Sequence, residues 1–193
     1  MNTLKQLIAW DEQLLRWAQS FHTDALDSFF IWVTYKWTWI PLYLFFLLIL
    51  YYKSNQNGKM LLIHLISIVV LITIADQLAS GLLKPWVQRL RPCHNPDIKA
   101  WLHQVANHCG GTYGFVSSHA SNTLALALYL LFSKSISKQW ALYLLFFWVF
   151  LVSYSRVYLG VHYPGDVLGG WLIGGISAGI VYFLQPILFK KFL

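Results

Sequence analysis

The chain alternates between long apolar runs and short polar breaks. Residues 39–52, WIPLYLFFLLILYY, carry no charge and stop at Lys53. Residues 60–83 form a second run interrupted only by His64 and Asp76. A third extends from about Ser118 to Phe132, a fourth from Gln139 to about Ser155, and a fifth, again uncharged, from Val167 to Phe189. Hydrocarbon about 30 Å thick needs roughly 20 apolar helical residues to cross. The second, fourth and fifth runs reach that length; the first reaches it by borrowing from residues 29–38, and the third is short. The pattern predicts an all-α, polytopic transmembrane helical bundle of five spans, or six if residues 25–37 cross separately.

Residues 2–22 follow another rule. Leu4, Leu7, Ile8, Leu14 and Leu15 recur near helical spacing with Lys5, Asp11, Glu12 and Arg16 between them, the signature of an amphipathic helix lying on the bilayer or across the bundle. Acids where an apolar core should be exclude a cleavable signal peptide. No repeats or interdomain linkers occur, so residues 1–193 read as one domain, with 1–24 an N-terminal helix and 60–185 the chemistry-bearing core.

Composition sharpens this picture. The 193 residues are 58% hydrophobic and 11% charged, where an ordinary soluble domain is about 25% charged. Disorder is excluded by the apolar content. A soluble bundle would need amphipathic outer helices, and several helices here are apolar all round. Trp37, Trp39, Tyr51, Tyr52 and Trp140 near the span ends fit an interfacial aromatic belt.

The net charge of +7 is unevenly placed. Lys53 and Lys59, Lys134 and Lys138, and Lys190 and Lys191 fall in segments that share one side of a five-span chain and contain no acid. The positive-inside rule assigns that side to the cytoplasm. Residues 84–117 and 156–165 then face outward, yet they carry Lys84, Arg89, Arg91, Lys99 and Arg156, an exception that calls for a functional cause.

Three clusters meet on that outer side. They are Lys84 to Arg91-Pro92 where the second span ends, Ser117-Ser118-His119 where the third begins, and Ser155-Arg156 through His162 to Asp166 between the fourth and fifth. Lys84, Arg91 and Arg156 offer fixed positive charge suited to phosphate. Ser117 and Ser118 stand at a helix start, where free N–H groups favour an anion. His119 and His162 can supply a nucleophile and a general acid, and Asp166, four residues after His162, can orient its ring. Such a set suits phosphoryl transfer, which depends on positioning and charge stabilisation.

These residues resemble the signature of the type 2 phosphatidic acid phosphatase family, related to vanadium haloperoxidases. The pattern K-x-x-x-x-x-x-R-P is matched from Lys84 to Arg91-Pro92, and S-R-x-x-x-x-x-H-x-x-x-D from Ser155-Arg156 to His162 and Asp166. The middle P-S-G-H departs: Val116 replaces the proline and Ser118 the glycine, leaving Ser117 and His119. The resemblance implies that His162 attacks phosphorus and becomes a phosphohistidine, with Asp166 orienting it. His119 protonates the leaving oxygen, and Lys84, Arg91, Ser117, Ser118 and Arg156 hold the phosphate oxygens. It implies no cofactor and no metal.

The expected protein is therefore a lipid phosphatase of a bacterial inner membrane, its site facing the periplasm. Short bacterial members often act on polyprenyl (undecaprenyl) diphosphate, the first expectation for substrate. Phosphatidylglycerophosphate, phosphatidic acid and the 1-phosphate of lipid A compete with it. A phosphorylated lipid and the bilayer are the expected partners, and nucleic acid is not. A non-catalytic lipid-binding or transport protein would keep Lys84, Arg91 and Arg156 without needing His119, His162 and Asp166 together.

Some polar residues lie outside the signature. Asp76, eight residues before Lys84 with Ser80 midway, shares a helix face with it and is either a support of the site or a structural carboxylate between helices. His64 reads as an interhelical contact. Cys93-His94 and His108-Cys109 permit a disulfide, free thiols or a metal site, though the spacing lacks the steps of common closed zinc sites.

Overall fold

The computed structural model describes residues 3–105, 109–136 and 138–192, without the side chains of 186–192. It is all-helical. Among the described residues nine α-helices follow one another as α1 (Thr3–Gln19), α2 (Asp24–Thr34), α3 (Ile40–Lys53), α4 (Gly58–Asp76), α5 (Lys84–Val87), α6 (Pro96–Lys99), α7 (Ser118–Phe132), α8 (Gln139–Tyr158) and α9 (Pro164–Phe192). Among the described residues no strand forms, and the single bridge joins Leu90 to Tyr113.

Among the described residues three helical stretches are long and apolar enough to cross a bilayer: Gly58–Val87, Gln139–Tyr158 and Pro164–Gln185. A fourth is added if α2 and the segment Lys36–Lys53, bent by 65° at Tyr35, count as one broken span. Counted so, the apolar run at 39–52 would draw on the residues before it through a sharp corner. The outward faces of these helices carry large exposed apolar side chains, among them Leu44, Leu48, Val69, Phe147, Leu172 and Phe183, the surface expected of helices solvated by lipid rather than water.

α7 is different. It runs for 15 residues, about 22 Å at the α-helical rise, and packs against α4, α8 and α9. Enclosed on those sides by other helices, it buries Ser121 and Thr123 together with Ala120, Ala125 and Ala127. The approach to α9 is tight because Gly170 and Gly174 carry no side chain. A Cβ at Gly170 would lie 2.5 Å from the Ser117 carbonyl oxygen, and one at Gly174 2.5 Å from that of Ser121. Small residues four apart are the usual device for such close backbone contact in membranes. This contact sets the start of α7 against the start of α9.

Local chemistry fixes the helix ends that matter. Asn57 caps α4 by accepting from Lys59 N at 2.9 Å, and Ser117 caps α7 by accepting from Ala120 N at 3.5 Å. α8 ends at Tyr158, and Gly160, two residues on, has a φ of +66° that lets the chain turn back. The N–H groups of Val161 and His162 then both donate to the Arg156 carbonyl at 3.1 Å. Between α4 and α5 the chain passes through a π-helical stretch, Gln77–Leu83, a local widening that often accompanies functional sites.

Beyond α5 the outer segment folds back on itself. Arg91 N donates to the Thr112 carbonyl at 3.1 Å and Gly114 N to that of Arg89 at 2.8 Å. Cys93 and Cys109 are joined as a disulfide, which resolves the three alternatives left by their spacing. With both sulfurs bonded, neither is a thiolate ligand beside His94; His108 lies outside the described residues.

Candidate active site

The residues singled out in the sequence come together at the end of the bundle where α5 leaves, α7 begins and α8 turns into α9. Lys84 Nζ donates to Ser118 Oγ at 2.7 Å and to Ser80 Oγ at 3.0 Å, and the two serine oxygens are 2.8 Å apart. Ser80 in turn donates to Asp76 Oδ1 at 3.4 Å. Asp76, Ser80 and Lys84 form one ladder down the face of the α4–α5 helical segment, and it ends on the first residue of α7. The shared face expected from the eight-residue spacing is present.

Arg91 and His162 meet at the base. Arg91 Nη1 donates to His162 Nε2 at 3.2 Å and to the Val161 carbonyl at 3.3 Å. A guanidinium can only donate, so Nε2 is the accepting, unprotonated nitrogen. Nδ1 then carries the proton and donates to Asp166 Oδ2 at 3.3 Å. Asp166 also accepts from Tyr163 N at 3.0 Å and from Arg89 Nη1 at 2.9 Å. His162 and Asp166 are 1% and 0% exposed, so the ring is held from both sides. Burial, followed by the positive charges of Arg91, Arg156 and Lys84, pushes the His162 imidazole well below its ordinary 6.5.

Arg156, buried on the last turn of α8, reaches Thr34 Oγ1 at the end of α2. His119 sits one residue into α7, exposed where His162 is buried. It lies within electrostatic reach of Arg156, His162, Lys84 and Arg91. One imidazole is therefore at the floor and the other at the rim. Ser117 is fully buried. Its Oγ caps α7 and its N–H donates to the Asp166 carbonyl at 2.9 Å, so it ties the two helix starts together.

The most informative atoms are two without partners. Nε of Arg91 and Nε of Arg156 are buried and make no hydrogen bond. A buried guanidinium N–H without an acceptor is strongly disfavoured; Arg91 faces His162 Nε2, and both arginines act electrostatically on the His162 ring. A tetrahedral oxyanion is the group that satisfies such donors.

Sequence reasoning missed several contributors. Arg89 bridges Asp166 and Asp11; Thr34 meets Arg156; and Gly114 lets the outer segment pass so close that a Cβ there would lie 2.9 Å from Asp166 Oδ2. His64 is the interhelical contact expected of it, its Nδ1 2.7 Å from the Tyr129 hydroxyl, which also accepts from Gln185 Nε2 at 3.0 Å.

A membrane-embedded helical bundle with a cationic cradle around a buried imidazole defines a membrane phosphatase, a hydrolase of phosphoric esters. Residues 65–189 match the PAP2 superfamily, and the chain belongs to that family. It is 38% identical over 176 residues to the lipid A 4'-phosphatase of Bacteroides thetaiotaomicron, covering 90% of this chain and 76% of that one. To the lipid A 4'-phosphatase of Porphyromonas gingivalis it is 36% identical over 157 residues, covering 81% and 65%. Its fold is similar to the crystal structure of Aquifex aeolicus LpxE, with a TM-score of 0.62 at 24% identity over 88% of this chain and 92% of that one.

Proposed function

We propose that the cluster removes a phosphate monoester from a saccharolipid headgroup of the lipid A type, at the outer face of the inner membrane, through a phosphohistidine. The observation that carries the phosphate chemistry is the pair of unpartnered guanidinium N–H groups of Arg91 and Arg156 beside His162. Lys84, Arg91, Ser118 and Arg156 hold the phosphate oxygens. His162 Nε2, the bare nitrogen of the tautomer that faces the Arg91 donor, attacks phosphorus as the ester P–O bond breaks. His119 at the rim gives its proton to the leaving oxygen. Water, giving a proton to His119, then attacks the phosphohistidine; the P–N bond breaks, His162 is regenerated and inorganic phosphate leaves. Ser117 serves by presenting the first turn of α7, and Asp76 by supporting Lys84 through Ser80.

The choice of headgroup rests on the two relatives at 38% and 36% identity, both of them lipid A 4'-phosphatases. It replaces polyprenyl diphosphate as the first expectation. Five spans accompany this reading: α7 serves as a short central span, too polar for an outer helix because it is shielded by α4, α8 and α9. The α2–α3 pair makes one broken span, and α1 rests at the outer interface with Leu4, Leu7, Trp10 and Trp17 exposed to lipid. The lysine-bearing turns then face the cytoplasm.

The test is a panel of bisphosphoryl lipid A, undecaprenyl diphosphate, phosphatidylglycerophosphate and phosphatidic acid with purified protein and its His162→Ala variant. Mass spectrometry should show loss of one phosphate from lipid A, with fragmentation assigning it to the distal sugar. Faster turnover of any other lipid overturns the headgroup assignment. Equal phosphate release by the variant overturns the mechanism.

A further inference from the structure

The acid that orients His162 is itself held by residues the phosphatase signature does not contain. Arg89 Nη1 donates to Asp166 Oδ1 at 2.9 Å while its Nη2 donates to Asp11 Oδ2 at 2.7 Å. The other oxygen of Asp11, Oδ1, accepts from Gly165 N at 2.6 Å. The contacts close a ring: Asp11 to Arg89, Arg89 to Asp166, one peptide back to Gly165, and from there to Asp11. Gly165 N belongs to the first turn of α9, whose N–H groups have no partner within the helix, so a carboxylate from 154 positions away supplies that end of α9 with its acceptor.

Arg89 is itself fixed. Its guanidinium lies 3.9 Å above the Tyr163 ring, its carbonyl accepts from Gly114 N at 2.8 Å, and the Tyr163 hydroxyl accepts from Asn95 Nδ2 at 3.1 Å. The Asp166 side chain is fully buried, that of Arg89 24% exposed and that of Asp11 12% exposed. Pairs this sheltered are geometrically demanding and are lost sharply when one member is removed.

We infer that Arg89 and Asp11 are positioning residues that hold the Asp166 carboxylate against His162 Nδ1, making the N-terminal helix α1 a working part of the site. This rests on the phosphatase reading of His162. The brace does two things. It fixes the rotamer of Asp166, whose Oδ2 must stay within reach of both Tyr163 N and His162 Nδ1. It also balances the carboxylate's charge, so that His162 feels the surrounding cations more fully than Asp166. The charged or titratable groups facing His162 are Lys84 from α5, Arg91 from the outer segment, His119 from α7, Arg156 from α8 and Asp166 from α9. Without Arg89, Asp166 presents an unbalanced negative charge to the ring.

The experiment compares Arg89→Gln, Arg89→Lys, Asp11→Asn and Asp11→Glu in the full chain, in detergent. The His162 ring is titrated by NMR with ¹⁵N-labelled histidine, its signal assigned against His162→Ala. Phosphate release from bisphosphoryl lipid A is followed across pH. Arg89→Gln should raise the ring's titration midpoint and the acid limb of kcat/KM by about one pH unit. It should lower kcat about 10- to 100-fold with little change in KM, as misorientation at a reacting centre does. Asp11→Asn, which takes away an anion and leaves Arg89 to Asp166 alone, should move the midpoint downward and lower kcat by less, and Arg89→Lys and Asp11→Glu should recover part of the loss. A purely structural brace would lower thermal stability and leave the midpoint in place. An unchanged midpoint in both Arg89→Gln and Asp11→Asn overturns the inference; if Arg89→Gln does not fold, Asp11→Asn alone decides. The ring titration needs no turnover. A wild type that releases no more phosphate than His162→Ala would sink the phosphatase reading while the brace is still judged by NMR.

Discussion

His162 Nδ1 lies 3.3 Å from Asp166 Oδ2, and neither side chain is open to solvent. Because Arg91 faces the other ring nitrogen as a donor, this contact fixes which tautomer exists before substrate arrives. Asp166→Asn removes the acceptor charge and allows the amide to hold the ring with Nε2 protonated, the form that cannot attack. Turnover should fall about 10³- to 10⁴-fold, as it does when an orienting carboxylate of this kind is replaced by its amide. Single-turnover labelling with ³²P-phosphorylated substrate checks it, since the variant should accumulate no phosphohistidine. Retained labelling at the wild-type rate would show that the ring needs no such partner.

The parts of the site legible in the sequence are those whose spacing along the chain is short. Lys84 to Arg91 and Arg156 to Asp166 lie on single helix ends or turns, so local geometry carries them. Ser117 and His119 needed only the recognition that a helix begins there. Arg89 and Asp11 were not legible, because their meeting depends on α1 crossing the start of α9, a contact between residues 78 positions apart. The alternation Arg89-Leu90-Arg91 held a clue: residues two apart in an extended segment share a face, and here both guanidiniums turn toward the His162–Asp166 pair. The shortness of the α7 run has a physical reason. Hydropathy reports exposure to lipid, and α7 is shielded by its neighbours.

The pH response follows from the burial of His162. Its folded-state value is pushed below the ordinary 6.5 by burial and then by Arg91, Arg156 and Lys84, so the neutral nucleophile persists into mildly acid solution. The acid limb of kcat/KM should therefore fall below pH 6.5. The stability consequence has a definite sign. The unfolded chain takes up a proton at the ordinary value while the folded chain does not. The contribution is thus complete above that value and is lost as pH falls toward the depressed one. Thermal melts should show a drop below pH 6.5 that His162→Ala reduces. An acid limb above pH 7 would contradict the burial argument.

The close approach of α7 and α9 can be tested at one atom. A Cβ at Gly170 would stand 2.5 Å from the Ser117 carbonyl oxygen and 3.0 Å from the Ala120 Cβ, contacts that backbone must yield to accommodate. Gly170→Ala should destabilise by about 1–3 kcal/mol, the range for overpacking. It should also reduce turnover by displacing Ser117, which ties α7 to the Asp166 carbonyl. Gly175→Ala is the control, since its nearest neighbour would be Leu128 Cδ1 at 4.0 Å, and it should leave both properties near wild type. Comparable thermal midpoints for the two variants would remove the packing explanation.

The disulfide makes the last prediction. Cys93 and Cys109 close a loop 16 residues apart in sequence, which joins the turn after Arg91 to the segment leading into Tyr113 and Gly114. Arg91 and Gly114 both touch the His162–Asp166 pair, so the crosslink restrains the backbone that delivers them. Closing a loop of this size stabilises by about 3 kcal/mol in the chain-entropy account. The Cys93→Ser, Cys109→Ser double variant should melt several degrees lower. Because Arg91 N and Gly114 N keep their hydrogen bonds to Thr112 and Arg89, it should retain most of its activity well below that midpoint. Thiol labelling of denatured wild type should give no free cysteine before reduction and two after it. Full labelling before reduction would show that the bond does not form in the membrane-inserted protein, and the loop would then be held by its backbone pairing alone.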